Sequence, residues 1–198
     1  MSESLPKVFL ARHGETEWSV SGRHTGRNDI PLTPRGEESA RKLGARLRSR
    51  TFAAVFCSPL QRARRTCELA GFGAAARPLP DLMEWNYGQY EGLKSSEIHE
   101  RRPGWRLFRD GCPGGEGPQD VAARADRVLP LLRSAGGDVI VFSHGHFLRM
   151  LMGRWMGFAA VDAARFGLDA ASLSVLALDP HTRDPMIDHW NDTSHLAP

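Results

Sequence analysis

Two stretches of the chain share one design. Val8-Phe-Leu-Ala11 is a short apolar run that stops at Arg12-His13-Gly14, and Val139-Ile-Val-Phe142 is another that stops at Ser143-His144-Gly145. A buried strand ending on histidine and then glycine delivers an imidazole beside backbone that a ligand can approach closely. Arg62 falls in the first turn of the helix expected after a third apolar run, so its guanidinium, the helix N-terminus and Arg12 all lie at strand ends. Ligands of open α/β sheets bind outside the carboxyl ends of the strands. A phosphate monoester carries about −1.5 to −2 charges near neutrality. Two arginine forks and two imidazoles supply donors to each of its non-bridging oxygens, so the set suits phosphoryl chemistry better than carboxylate binding.

A histidine attacks phosphorus through an unprotonated ring nitrogen, and a free imidazole, with a pKa of about 6.5, is mostly unprotonated at pH 7. His13 is the expected nucleophile. Arg12, Arg62 and a protonated His144 are expected to hold the charge that develops on the transferred group. Glu84 is the expected proton donor to the leaving oxygen. A carboxyl beside a bound dianion is held protonated there, against the pull of the arginines, and afterwards serves as base toward water.

The elements that must position these groups can be read from periodicity and breakers. Glu15 to Pro31, with Gly22, Gly26, Asn28, Asp29 and Pro31, reads as a loop across the end of the sheet. Thr33 as N-cap and Pro34 at the first helical position start a helix with Ala40, Leu43, Gly44 and Leu47 on one face. Phe52–Cys57 is a buried strand and Leu60–Ala70 its returning helix. A short strand is expected within 74–80. Leu82–Gly92, rich in aromatics, acids and glycine, reads as a site loop.

Lys94–Arg109 forms one or two helices broken at Pro103-Gly104, and residues 93–118 together form an insertion capping the site. Glu116–Ser134 is an amphipathic helix. Val139–Ser143 is the second histidine-bearing strand, followed by a helix from Phe147 to Met156 and strands at Ser172–Leu178 and Met186–Trp190. This alternation predicts a single α/β domain over 1–198, a three-layer sandwich with a mostly parallel central sheet and helices on both faces.

Composition narrows the function classes. With 198 residues, 41% hydrophobic and 25% charged, the chain suits one ordinary globular domain. The 26 basic and 23 acidic residues are mixed along it, a balance that argues against a nucleic-acid partner, and Gln61-Arg-Ala-Arg-Arg65 at helical spacing reads as one inward arginine with others in water. No apolar run approaches the about 20 residues needed to span a bilayer. Cys57, Cys67 and Cys112 lack metal-ligand spacing and follow no secretory leader, so a reduced, cytoplasmic protein without a membrane partner is expected. No metal or organic cofactor is expected either, and a homo-oligomer is left open.

Leu10-Ala-Arg-His-Gly-Glu-Thr-Glu-Trp18 closely resembles the signature of the histidine phosphatase superfamily, also called phosphoglycerate-mutase-like. Further segments resemble family segments in family order: Arg35-Gly36, Cys57–Thr66, Glu84 with Tyr90-Glu-Gly92, Pro113-Gly-Gly-Glu116, Ser143-His-Gly-His146 and Asn191–Leu196. The resemblance implies that His13 is phosphorylated, Arg12 and Arg62 clamp the phosphoryl group, His144 completes the pocket and Glu84 donates the proton. It also implies that backbone near Thr25, Gly26 and Gly145 faces the phosphate. Many relatives carry Asn where this chain has Ser19, whose hydroxyl still donates but reaches less far.

The short insertion and the Glu84–Gly92 segment resemble the phosphatase branch, in a subgroup of sugar-bisphosphatases and broad acid phosphatases. That implies a small phosphorylated metabolite, a sugar phosphate or bisphosphate, as substrate. A bisphosphoglycerate-dependent mutase and a non-catalytic phospho-ligand binding module are the alternatives.

Other polar and aromatic residues read both ways. Arg149, five residues after His144, either holds a distal phosphate or is a solvated helix arginine. His146 forms an HxH pair with His144, but without cysteine or carboxylate at ligand spacing it reads as a structural hydrogen bonder. Trp85, Tyr87 and Trp105 either floor a sugar pocket or belong to the core. His24 either borders the pocket or is exposed. His99, His181, His189 and His195 read as bland, and one of Glu15 and Glu17 is expected to pair with a loop arginine.

Overall fold

A computed structural model describes residues 5–197. Its centre is a six-stranded sheet in the order β3-β2-β4-β1-β5-β6. The strands are β1 (Val8–Arg12), β2 (Ala54–Cys57), β3 (Ala76–Pro78), β4 (Val139–Ser143), β5 (Leu173–Leu178) and β6 (Pro185–Asp192). β1 to β4 are mutually parallel, β5 pairs antiparallel with β1, and β6 pairs antiparallel with β5.

Alternation along β1 explains the layers. Val8 and Leu10 pack with α6 (Pro118–Arg133) and α7 (Gly145–Trp155), whereas Phe9 and Ala11 pack with α2 (Pro34–Leu47) and α3 (Gln61–Leu69). Both faces of the strand are apolar because both are covered by helices. On α2, Ala40, Leu43 and Leu47 recur at helical spacing and are buried, each leucine contributing about 1.5–3 kcal/mol by leaving water. Thr33 caps that helix by accepting from the Gly36 N–H at 3.0 Å, ahead of Pro34.

The predicted loop 15–31 contains a helix, α1 (Glu17–Ser21). Thr16 and Ser19 bond reciprocally to each other's backbone N–H, and Gly22 closes the turn at φ 72°. The signal was Thr16-Glu-Trp-Ser19, a capping box with serine in the position where glutamate or glutamine usually marks it. Residues 94–117 contain two short helices, α4 (Ser95–Arg101) and α5 (Leu107–Asp110), separated at Pro103-Gly104. Among the described residues no helix is long and apolar enough to cross a membrane. The three cysteines are unpaired and buried.

One close backbone approach ties α2 to the end of β1. A Cβ added to Gly36 would lie 2.2 Å from the Glu15 carbonyl oxygen, and one added to Gly14 would lie 2.4 Å from that of Gly36. These two glycines let the segment after His13 lie directly on the first turn of α2. Gly36→Ala is expected to lose about 1–3 kcal/mol by overpacking, lowering Tm by roughly 5 °C and reducing turnover of any substrate that uses His13. Thermal unfolding and a rate measured on the same sample check both.

Candidate active site

Parallel pairing of β1 and β4 sets Arg12 opposite Ser143. The next residues on the two strands, His13 and His144, are therefore neighbours, with ring centroids 5.2 Å apart, and the His13 N–H donates to the Ser143 carbonyl at 2.9 Å. Both imidazoles are buried. His13 Nδ1 donates to the Gly14 carbonyl at 2.7 Å, which puts the proton on Nδ1 and leaves the lone pair on Nε2. Burial first, then the charges of Arg62 and Arg12, hold His13 well below the ordinary imidazole range.

His13 opens into a cavity of about 250 Å³ whose walls include Arg12, Glu84, Tyr87, Gly145, His146 and Arg149. Arg12 donates through Nη1 to the Leu168 carbonyl, while its Nε is buried without a partner. Its guanidinium lies against Gly145, where an added Cβ would come within 3.3 Å of Cζ. Glu84 is 5% exposed, and its carboxylate is seated on three backbone N–H groups: Trp85 at 2.9 Å, His146 at 3.0 Å and Phe147 at 2.9 Å. The last two belong to the first turn of α7, a helix start that attracts anions.

The Glu84 loop is itself held from α6. Arg124 donates to the carbonyls of Asp81 and Met83 at 2.7 and 2.8 Å and binds both carboxylate oxygens of Glu116. Glu116 in turn accepts from the Asn86 N–H at 2.8 Å.

The arrangement matches a family. The model of the histidine phosphatase superfamily (branch 1) fits residues 8–193. The chain belongs to the histidine phosphatase superfamily. An acid phosphatase of Mycobacterium tuberculosis is 37% identical over 89% of each chain. The sedoheptulose 1,7-bisphosphatase of Saccharomyces cerevisiae is 34% identical over 79% of this chain and 70% of its own. A probable phosphoglycerate mutase of Salmonella choleraesuis is 31% identical over 96% and 94%. The solved structure of a Mycobacterium tuberculosis open reading frame superposes with a TM-score of 0.88 at 35% identity, covering 94% of this chain and 97% of that one. The α/β architecture is that of its histidine phosphatase neighbours.

Several expectations need correction within this histidine phosphatase. His144 is neutral, not protonated. Arg62 Nε donates to its Nδ1 at 3.2 Å, so the ring proton sits on Nε2 and faces Ser58 Oγ at 2.7 Å. Burial, then the charges of Arg62 and its neighbours, keep it well below the ordinary range. Arg62 is fully buried behind the cavity wall and directs its Nη groups at the carbonyls of Thr25, Gly26 and Asn28. The N-terminus of α3 is not open to an anion either, because Asp29 accepts from the Gln61 N–H at 2.7 Å.

Gly26 gives its N–H to Glu91 at 2.8 Å, and its carbonyl accepts from Arg62, so its backbone does not face the cavity. Its lack of a side chain serves packing, since an added Cβ would meet Glu91 and the Trp85 carbonyl at 2.5 Å. Thr25 and Ser19 line the cavity, but the Ser19 hydroxyl proton is committed to the Thr16 carbonyl at 2.8 Å. Glu15 accepts from Thr33 at 2.7 Å, and neither it nor Glu17 pairs with an arginine among the described residues.

Arg149 is half-buried and engaged by its neighbours. It lines the cavity, lies over the Phe108 ring at 4.7 Å and donates to the carbonyls of Ala163 and Ala164. Trp85 and Trp105 are core, whereas Tyr87 is a cavity wall whose hydroxyl meets His146 Nδ1 at 2.6 Å. His24 donates through Nδ1 to the Leu93 carbonyl at 2.9 Å, leaving Nε2 as an acceptor on the wall. Arg23, Ser95 and Leu168 also line the cavity, and no spacing in the sequence marks them.

His13, His144 and His146 each take up a proton near 6.5 when the chain unfolds and resist it when folded. The unfolded state therefore binds more protons below that value, and stability falls as the pH drops through it. Scanning from pH 7.5 to 5.5 in a phosphate-free buffer should lower Tm by on the order of 5–10 °C. A flat Tm would mean that these rings are not held neutral.

Proposed function

We propose that this chain hydrolyses phosphate monoesters through a phosphohistidine at His13. The observation that carries the reading is the fixed tautomer of His13: a buried, neutral ring with its Nε2 lone pair free at the cavity and Arg12 beside it. Nε2 attacks phosphorus in line as the bond to the leaving oxygen breaks. Glu84 delivers a proton to that oxygen. Three of its acceptor directions are occupied by backbone N–H groups, and a remaining lone pair is available for the proton in transit.

Water then attacks the phosphohistidine, gives its proton to Glu84, and the N–P bond breaks to release phosphate. Arg12, which lines the cavity, contacts the phosphoryl oxygens through the guanidinium N–H groups not committed to Leu168, joined by the N–H groups of Gly145 and Thr25. Arg62, behind the wall, acts as fixed positive charge. Neutral His144 keeps that guanidinium in place. Ser19 contributes as a wall and as an acceptor.

For the substrate we propose a small sugar phosphate or bisphosphate. The cavity wall away from His13 offers a phenol, two neutral imidazoles and Arg149, which suits hydroxyl groups and a second anion. The names of the acid phosphatase and bisphosphatase relatives support that class. Residues 93–118, which bring Ser95 to the cavity, act as the cap that limits substrate size. A mutase needs the same His13, and its reading rests on a relative's name alone. A coupled assay for 3- to 2-phosphoglycerate conversion separates the two, hydrolysis without isomerisation being the expected result.

Acid-quenched labelling with a radioactive phosphate donor should place the label on His13, and His13→Ala should abolish both label and turnover. Glu84→Gln should slow alkyl phosphates about 10²–10⁴-fold and spare aryl phosphates whose leaving group needs no proton. Equal losses on both substrates would remove Glu84 from the acid role.

Arg149→Ala should raise KM for a sugar bisphosphate about tenfold or more, the worth of a charge-assisted hydrogen bond. The corresponding monophosphate should change little. A uniform change across both would make Arg149 a packing residue.

A further inference from the structure

The last described residues of the chain reach the back of the nucleophile. β5 is preceded by a turn over 168–172, and this turn grips the end of β1 at three points. Arg12 donates its Nη1 to the Leu168 carbonyl and its backbone N–H to the Ser172 carbonyl at 3.2 Å, and the Ala171 N–H donates to the His13 carbonyl at 3.0 Å. The turn therefore sets both the direction of the Arg12 guanidinium and the backbone of His13. Its conformation is not one it holds for itself: Ala171 sits at φ 55°, the left-handed region that alanine avoids.

What holds the turn comes from the C-terminal segment. The His195 Nδ1 accepts from Arg46 Nη1 at 3.3 Å, which places the ring proton on Nε2, and Nε2 donates to the Ala171 carbonyl at 2.9 Å. Asn191, itself at φ 55°, accepts from the Asp169 N–H at 2.6 Å and donates to the Asp169 carboxylate at 2.8 Å. Its own N–H goes to buried Ser174 at 2.9 Å. Trp190 Nε1 adds a bond to the Gly167 carbonyl at 2.7 Å. Arg46 on α2 anchors the segment through Asp192 and Ser194.

We propose that Asn191 and His195 are positioning residues of the phosphoryl-transfer site. Neither touches the cavity. They lock the 168–172 turn, and the turn aims Arg12 and seats His13. The inference rests on the phosphohistidine reading above, because only if Arg12 and His13 meet the transferred group does their aim set the rate. A misplacement of about 1 Å at such groups costs up to roughly 10²-fold in rate, so loss of either lock should appear in kcat and in affinity for orthovanadate, which adopts the geometry of the transferring phosphoryl group. KM should move little.

The test compares variants chosen to fold. His195→Gln keeps an N–H donor within reach of the Ala171 carbonyl and should keep kcat within about twofold, whereas His195→Asn, one methylene shorter, should lose about tenfold. Asn191→Gly tolerates φ 55° but lacks the two side-chain bonds to Asp169, and should lose a similar factor. In the two impaired variants the inhibition constant for orthovanadate should rise in step with the fall in kcat while Tm shifts by only a few degrees. Unchanged kcat and vanadate inhibition in both His195→Asn and Asn191→Gly would overturn the proposal. So would a loss in His195→Gln equal to that in His195→Asn, since it would assign the effect to packing. If the wild-type chain turns over no phosphate monoester, the phosphohistidine reading fails first, and that outcome is read before any variant is made.

Discussion

Positive charge held out of water is the constraint around which this fold is arranged. Arg12, half-buried at the end of β1, and Arg62, buried in the first turn of α3, both hold a charge that removal from water works against. An isolated cation in such a place is costly. The chain offsets the cost with direct carbonyl acceptors, Leu168 for Arg12 and Thr25, Gly26 and Asn28 for Arg62, while Glu84 attracts both guanidinium groups without an ion pair to either. Carbonyls stabilise a guanidinium without cancelling its charge, so the field at the cavity stays positive. An incoming phosphoryl group meets donors that are already oriented, and orientation achieved before the reaction is what electrostatic catalysis requires.

Burial, and after it the same field, dictates the state of the imidazoles. Out of water and beside two fixed cations a third positive charge is disfavoured, so His13 and His144 are both neutral, and each then has one donor and one acceptor nitrogen to place. His13 spends its donor on the Gly14 carbonyl and keeps its acceptor for phosphorus. His144 spends both nitrogens on Arg62 and Ser58. Two histidines at equivalent strand ends thus differ in role because of what their ring nitrogens meet, and the difference is decided by Ser58 and Gly14.

Much of this was legible in the sequence and some of it was not, for a physical reason. Apolar runs that stop at His13 and His144 identify strand ends, and parallel strands of equal length bring those ends together. Thr33-Pro34 announces α2 because a cap and a fixed φ act locally. The histidine phosphatase resemblance rests on such positions. Donor allocation is not local. Nothing in the spacing says that Asp29 will cap α3, that Glu91 will claim the Gly26 N–H, or that the Ser19 hydroxyl will be committed to the Thr16 carbonyl. Arg149 stayed open between two readings because the choice depends on Phe108 and on two carbonyls from a separate segment. His195 read as bland because its partners are Ala171 and Arg46, residues that carry no motif.

The distances along the chain add a further consequence. The bond from Arg12 to Leu168 closes a loop of 156 residues, and the turn that receives it is fixed by residues later still. Loop closure costs entropy that only cooperative native packing offsets. A strand-end motif near the start of the chain therefore acquires its working geometry only when the final segment docks on β5 and α2. A chain lacking that segment would still bury β1 between its helices, since Leu10 and Phe9 find their partners in α7 and α2. It would leave the strained turn at Ala171 without its locks, so a core can form while the site remains loose.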